Sequence, residues 1–180
     1  MDKREANQLK MLRRLALAAR DFRHALSAAT FLLEDVDFAS TYTLEEVRRF
    51  KCYETTMVVA YGRAFTASHG AGTGLSWKSL SIAPTASQKG LHEKLMKQRH
   101  KNFAHSDATF IDSNLEIWRN RMPNGENFEF IASSTSDSLH FEGHEILNIY
   151  NWLRQLRFQC DEALQGWNGP RDALPTKNRP

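Results

Sequence analysis

Hydrophobic residues recur at steps of three and four along most of this chain, and this period constrains the fold more than any other feature of the sequence. The first and longest stripe consists of Leu9, Leu12, Ala16, Ala19, Phe22, Leu26, Ala29 and Leu33. Because about 3.6 residues complete a helical turn, the spacing predicts an amphipathic helix from about Asp2 to Leu33. Cations lie off the stripe, where we expect a solvated face rather than an RNA-binding track. They are Lys10, Arg13, Arg14, Arg20 and Arg23.

Two further helices are marked at their start by capping residues. Thr43 precedes Glu46 by three residues, and Thr85 precedes Gln88 in the same way, which is the spacing of a capping box. A further apolar stripe predicts a last helix near the C-terminus. The predicted helices after the first cover about 43–65, 85 to 105–107, and 141–164. The glycine- and serine-rich stretch at 68–84 is predicted to be an irregular connection.

Apolar and polar residues alternate on either side of Pro123-Asn124-Gly125, which predicts a β-hairpin over about 113–134. Its aromatic residues are Trp118, Phe128 and Phe130. We expect them to pack against the helices, with stacking on nucleobases as the alternative. Four helices and one inserted hairpin predict an all-α helical bundle. It should form a single domain over 1–169, followed by a disordered tail at 170–180.

Composition places the chain among globular proteins with a mildly basic surface. Its 180 residues suffice for one domain, and the formal net charge is +3 with a pI near 8.9. That charge is compatible with a nucleic-acid partner without requiring one. Cys52 and Cys160 are far apart in sequence and are expected to be reduced thiols. No secretory signal or membrane-spanning stretch is evident, so a cytoplasmic protein is predicted.

A concentration of chemically active side chains ends the third predicted helix. The stretch Arg99-His100-Lys101-Asn102-Phe103-Ala104-His105 holds an arginine, an amide and two imidazoles. Arginine binds phosphate through its planar fork, and histidine transfers protons near neutral pH. On a regular helix Arg99, Asn102 and His105 form a ridge, with Arg99 and His105 rotated about 120° apart. That separation is too wide for one self-contained site and favours a composite site with a second subunit.

The residue types in this cluster fit metal-independent RNA cleavage. A histidine can deprotonate the ribose 2′-hydroxyl or protonate the leaving 5′-oxygen, while a guanidinium stabilises charge on the phosphoryl oxygens. The spacing of the nearby histidines matches no recognised zinc site. They are His69, His92, His100 and His105. No metal and no cofactor is therefore predicted, and a plain surface patch of arginine and histidine is the alternative interpretation.

Two motifs resemble one known family. The segment from Leu91 to Asp107 resembles the signature helix of HEPN (higher eukaryotes and prokaryotes nucleotide-binding) domains, an arginine followed after four to six residues by a histidine. Its ending, Phe-Ala-His-Ser-Asp, is similar to that of the abortive-infection-associated branch. Tyr61-Gly62-Arg63-Ala64-Phe65 resembles the Tyr-x-Arg-Pro-Phe element of the same branch, with alanine in place of proline. The resemblance covers about residues 40 to 165 in element order.

The resemblance implies a HEPN-like four-helix bundle, from which the small inserted β-hairpin is a departure. Many such proteins are homodimeric, metal-independent endoribonucleases of toxin–antitoxin, phage-defence or CRISPR systems. By this resemblance Arg99 would stabilise the scissile phosphate, His105 would act as acid or base, and His100 or Asn102 would position them. RNA would be the substrate, and an antitoxin or effector protein a further partner. A non-catalytic HEPN-like module that binds nucleotide, RNA or protein is the alternative.

Three residues of the second helix are candidates for the same groove. Arg63, near the end of that helix, is interpreted equally well as a phosphate contact or as a structural ion pair. Glu54 and Tyr61 are seven residues apart, so they share a helix face, and both are placed at the border of the groove. For Tyr61 a core position with the hydroxyl at the edge is the more common arrangement.

Overall fold

The computed structural model describes residues 3–67, 73–103, 113–122, 125–135 and 138–168. In this part the chain forms four α-helices and two strands: α1 (Lys3–Asp35), α2 (Leu44–Phe65), α3 (Ala86–Gln98), β1 (Ser113–Arg121), β2 (Asn127–Thr135) and α4 (Gly143–Gln165). The predicted all-α bundle with one inserted hairpin is confirmed. No helix in the described ranges combines the length and hydrophobicity that crossing a membrane requires. The predicted tail at 170–180 lies outside these ranges.

The helices share one hydrophobic core, in which α1 packs against both α2 and α4. The apolar residues that α1 buries are Leu15, Ala18, Ala19, Phe22, Ala25, Ala28, Ala29 and Leu32. They include Ala19, Phe22 and Ala29 of the predicted stripe, whereas Ala16 of that stripe is exposed. The small buried alanines let the neighbouring helices approach α1 closely, because interaxial distance depends on the side chains at the contact.

Both predicted capping boxes are present and fix where α2 and α3 begin. Thr43 Oγ1 accepts a hydrogen bond from the Glu46 backbone at 3.3 Å, and the Glu46 carboxylate accepts one from the Thr43 backbone at 2.8 Å. Thr85 and Gln88 make the same pair of bonds at 3.2 and 2.9 Å. These bonds satisfy backbone N–H groups that have no partner within the helix.

From residue 73 onward, the connection between α2 and α3 packs on the core, which the prediction of an irregular connection did not anticipate. Leu75 and Leu80 are buried, and a 3-10 turn spans Lys78–Leu80. The Trp77 ring lies 4.7 Å from the Phe65 ring between centroids. The Leu75 N–H also donates to the Ala64 carbonyl at 2.9 Å. This segment therefore covers one side of the C-terminal end of α2.

The hairpin presents its aromatic residues to solvent. Trp118 pairs with Phe130 across the antiparallel strands, and Asn120 pairs with Phe128, so the three aromatic side chains share one face. Their exposed fractions are 52% for Trp118, 48% for Phe128 and 39% for Phe130. The prediction that these rings pack against the helices is therefore wrong for the single chain. The turn contains Gly125 with φ of 89°, a left-handed conformation that glycine adopts without steric cost.

Candidate functional site

Arg99 is the first residue of a π-helical turn, Arg99–Phe103, that directly follows α3. Such turns close hydrogen bonds over five residues rather than four and occur frequently at functional sites. The regular-helix rotation behind the predicted ridge therefore does not hold over this turn. The side chain of Asn102 and the whole of His105 lie outside the described residues, so the composite geometry proposed for Arg99 and His105 stays a prediction.

The side chain of Arg99 crosses α2 at Gly62. A Cβ at position 62 would overlap the Cδ of Arg99 and lie 2.9 Å from its Nε. Glycine in a helix interior costs about 1 kcal/mol relative to alanine. Here the missing side chain makes room for the arginine. Gly62 and Arg63 belong to the second motif and Arg99 to the first, so this crossing brings the two motifs together.

Four arginines meet in a pocket of about 230 Å³ at the C-terminal end of α2, which we call the arginine pocket. It is lined by Arg14, Leu17, Arg20, Asp21, Arg63, Thr66, Ala67 and Arg99. Four guanidinium groups face one carboxylate, which leaves three positive charges in excess. Guanidinium groups form paired hydrogen bonds to the oxygens of phosphate and carboxylate. The arginine pocket is therefore suited to an anion.

Arg14 has a structural role in this pocket. Its Nη2 donates to the carbonyls of Arg63 at 2.8 Å, Ala64 at 2.6 Å and Thr66 at 2.7 Å. These carbonyls lie at the end of α2, where helical partners are missing and the helix dipole is negative. Burial lowers the pKa of Arg14 and the charge of Asp21 raises it, but the group stays protonated. The expectation that Arg14 belongs to a solvated face is wrong.

Asp21 is a buried carboxylate beside two of the other arginines. Its Oδ1 lies 3.4 Å from Nη2 of Arg63 and 3.7 Å from Nη2 of Arg20. This oxygen accepts no hydrogen bond from the described residues. The two ion pairs therefore attract Arg20 and Arg63 to the pocket through charge rather than through hydrogen bonds. About half of the Arg63 side chain remains exposed and can reach a ligand.

Arg99 has unsatisfied hydrogen-bonding capacity. Its Nε is buried and has no acceptor among the described residues. Its Nη1 lies 3.3 Å from Nδ1 of His100, at the exposed edge of the pocket. Because a guanidinium only donates, His100 must accept this bond with an unprotonated Nδ1. His100 is thus beside Arg99, as a positioning residue would be.

Tyr61 does not line the arginine pocket. It is fully buried, and its hydroxyl lies 2.7 Å from Nδ1 of His92 and accepts from Nε1 of Trp152 at 3.3 Å. The indole only donates and the hydroxyl has one proton, so both groups are satisfied when the tyrosine donates to His92 and the imidazole proton is on Nε2. Burial raises the pKa of Tyr61 and lowers that of His92, which keeps both groups neutral. Tyr61 is a core residue, which corrects its placement at the groove border.

Glu54 also lies away from the pocket, in the core beside the start of α4. Its Oε1 accepts from the backbone N–H groups of His140 at 2.6 Å and Phe141 at 3.1 Å. Its Oε2 accepts from Lys51 Nζ at 2.7 Å. A buried carboxylate needs such partners, because an unpaired buried charge is strongly destabilising. Glu54 fixes the entry of α4 and is not at the groove border, contrary to the expectation.

Arg20 and Asp21 are pocket residues that the sequence interpretation missed, and Arg14 was assigned to the wrong environment. One signal was available. One row of α1 runs at alternating steps of four and three residues, and all its members are buried: Arg14, Ala18, Asp21, Ala25, Ala28 and Leu32. Its apolar members lie toward the C-terminus, and toward the N-terminus the row contains one acid and one base. A charged pair on a helix row that is otherwise apolar indicates a buried polar site.

Within the described ranges, no group of three or more His, Cys, Asp or Glu side chains is placed to hold a metal ion. His69, which was considered with the other histidines, lies outside those ranges. Comparisons with protein-family models, with curated proteins and with solved structures find no match to this chain.

Proposed function

We propose that this chain is a HEPN-like protein that binds RNA through the arginine pocket and cleaves it without a metal ion. The observation that supports this proposal best is the crossing of Arg99 over Gly62 into a pocket that also contains Arg63. The two motifs on which the HEPN resemblance was based thereby contribute to one cation-rich site. Phosphate is the anion that every RNA substrate presents to such a site.

In the proposed reaction the ribose 2′-oxygen attacks the adjacent phosphorus, and the bond from phosphorus to the 5′-oxygen breaks. The products are a 2′,3′-cyclic phosphate and a 5′-hydroxyl. His105 removes the proton of the 2′-hydroxyl or protonates the leaving oxygen. Arg99 and Arg63 stabilise the negative charge on the phosphoryl oxygens. His100 and Asn102 position these groups, and the reaction requires no cofactor.

The proposal includes the assembly and setting that the resemblance implies. Two subunits form a homodimer, in which the Arg99 and His105 pairs meet at the interface. The protein acts in the cytoplasm, in a toxin–antitoxin or phage-defence system, and an antitoxin or effector protein is its further partner. Light scattering of the purified protein measures the oligomeric state directly, and a monomer at assay concentration would contradict the composite site.

The experiment that tests the activity is an RNA cleavage assay in excess EDTA with four single variants. Arg99→Ala and His105→Ala should each abolish cleavage. Arg154→Ala and His144→Ala replace exposed residues of α4 and should cleave like the wild type. Cleavage that depends on a divalent metal, or full activity in His105→Ala, would refute the mechanism.

A non-catalytic binding module is the second candidate. It is favoured by one feature of the pocket: four arginines line it, and none of its described lining residues is a histidine. This candidate predicts that RNA binds without turnover and that Arg99→Ala weakens binding, whereas His105→Ala leaves affinity nearly unchanged. Measuring affinity and cleavage on the same variants distinguishes the two.

A further inference from the structure

A second cavity lies on the same side of the α1–α2 pair as the arginine pocket. We call it the aromatic cavity. It has a volume of about 290 Å³ and is lined by His24, Ser27, Ala28, Phe31, Tyr53 and Thr56. Phe31 is 46% exposed, and its ring centroid lies 5.4 Å from that of Tyr53. An exposed phenylalanine beside a half-buried tyrosine and a cavity offers a surface on which a flat ring can stack.

The helix spacing connects the two cavities. On α1, Asp21 lines the arginine pocket and His24, one turn further, lines the aromatic cavity. On α2, Arg63 lines the arginine pocket. Thr56, two turns earlier on the same face of the helix, lines the aromatic cavity. The two cavities therefore lie along one line between the antiparallel helices α1 and α2, which we call the α1–α2 groove. From Asp21 to Phe31 the groove extends by about 15 Å, since each helical residue rises about 1.5 Å.

The exposed charge along this groove has one sign. Between Lys10 and Leu33 the only carboxylate of α1 is Asp21, and between Val47 and Phe65 the only one of α2 is Glu54, and both are buried. Exposed cations lie on the groove side of both helices. They are Lys10, Arg13 and Arg20 of α1, spaced by three and seven residues, and Arg63 of α2. Acidic residues begin again only beyond Phe31, at Glu34 and Asp35.

We infer that the α1–α2 groove binds single-stranded RNA, with a phosphate in the arginine pocket and a nucleobase stacked on Phe31. This inference rests on the proposed function and extends it from one phosphate to a track. Cations that follow the backbone, together with aromatic side chains that stack on bases, are the usual basis of single-strand binding. A stacked strand advances about 3.4 Å per nucleotide, so about four nucleotides connect the two ends.

A second copy of this chain does not by itself neutralise these charges. In the proposed dimer like cations of two subunits meet at the Arg99 end of the groove, and this juxtaposition costs free energy unless an anion lies between them. The neutral amide cavity between α3 and α4, lined by residues such as Gln88 and Gln155, has neither the cations nor an exposed phenylalanine. The groove thus matches a polyanion that carries flat rings.

The test measures binding of a fluorescent 2′-O-methyl RNA of about eight nucleotides, a length within the usual range for single-strand sites and resistant to 2′-hydroxyl attack. Phe31→Ala should weaken its affinity about tenfold, the typical effect of losing one stacked base. Phe31→Tyr keeps the ring and should bind like the wild type. Phe158→Ala, at a phenylalanine that is 58% exposed on α4, is the matched control and should also bind normally.

A dinucleotide sharpens the test because it is too short to reach from the arginine pocket to Phe31. Its affinity should fall in Arg63→Ala and stay unchanged in Phe31→Ala. Loss of octamer binding in Arg63→Ala with none in Phe31→Ala would overturn the groove inference and leave the proposed function standing. Unchanged octamer binding in both variants would contradict the groove inference and the proposed function.

Two further results would overturn the inference. If Phe130→Ala, rather than Phe31→Ala, weakens octamer binding, the hairpin supplies the stacking surface. If Phe31→Ala changes the oligomeric state measured by light scattering, the face is a protein interface.

Discussion

Replacing Gly62 with alanine should reduce RNA binding without reducing stability. The added Cβ would overlap Cδ of Arg99 and lie 3.1 Å from its Cγ, so the middle of that side chain must leave α2. The arginine can turn toward solvent, because the atom that it buries, Nε, has no hydrogen-bond partner among the described residues to lose. The guanidinium then no longer points into the arginine pocket.

The Gly62→Ala change should affect stability and RNA affinity by different amounts. Glycine to alanine in a helix interior stabilises the helix by about 1 kcal/mol, which offsets the packing that Arg99 loses on leaving. The free energy of unfolding should therefore stay within about 1 kcal/mol of the wild type. A hydrogen bond to a charged group contributes about 1.5–3 kcal/mol, so RNA affinity should fall roughly 10- to 100-fold.

The assay combines urea denaturation with fluorescence anisotropy on the same preparations. Gly90→Ala is the matched control, because a Cβ there meets no atom within 4 Å. It should gain stability from helix propensity and bind RNA normally. The double variant Gly62→Ala with Arg99→Ala should bind no more weakly than Arg99→Ala alone, since both changes remove the same contact. Wild-type affinity in Gly62→Ala would refute the reasoning.

Three other predictions concern stability. Arg14→Ala should lower the free energy of unfolding by about 3 kcal/mol, because three helix-end carbonyls lose a charged donor. Urea denaturation measures this change, and a loss below about 0.5 kcal/mol would contradict the capping role. Glu54→Ala should lower the free energy of unfolding by a similar amount, about 3 kcal/mol, and leave the RNA affinity of the folded protein unchanged. An altered affinity would indicate that Glu54 does lie at the groove border. Burial lowers the pKa of His92 and of His140, whose ordinary value is about 6.5. The unfolded chain thus binds more protons below that pH, so stability should fall from about pH 7 to about pH 5. His92→Gln should reduce the fall in stability with decreasing pH, as measured by thermal denaturation at several pH values. An unchanged pH dependence would contradict this prediction.

The fold could largely be predicted from the sequence because its signals are local. Capping at Thr43 and Thr85 depends on residues three positions apart, and the helical period of α4 depends on one face of one helix. The hairpin was found for the same reason. Its exposure was not, since alternation of apolar and polar residues predicts a strand but does not say what covers it.

The candidate site could be predicted only in part because it is assembled from three helices. The sequence singled out Arg99 and Arg63 through their motifs. It could not show that Arg14 and Asp21 of α1 meet them, since that depends on how α1 and α2 pack. The Tyr61 and Glu54 placements failed because a shared helix face was taken to mean a shared groove, whereas both side chains point into the core.

The central claim, RNA cleavage by Arg99 and His105, is tested most directly by analysing the products of one defined RNA. Mass spectrometry of that RNA after incubation in EDTA should show fragments ending in a 2′,3′-cyclic phosphate and fragments beginning with a 5′-hydroxyl. The same incubation with His105→Ala should leave the RNA intact. Intact RNA with the wild-type protein, or the same fragments from His105→Ala, would contradict the account.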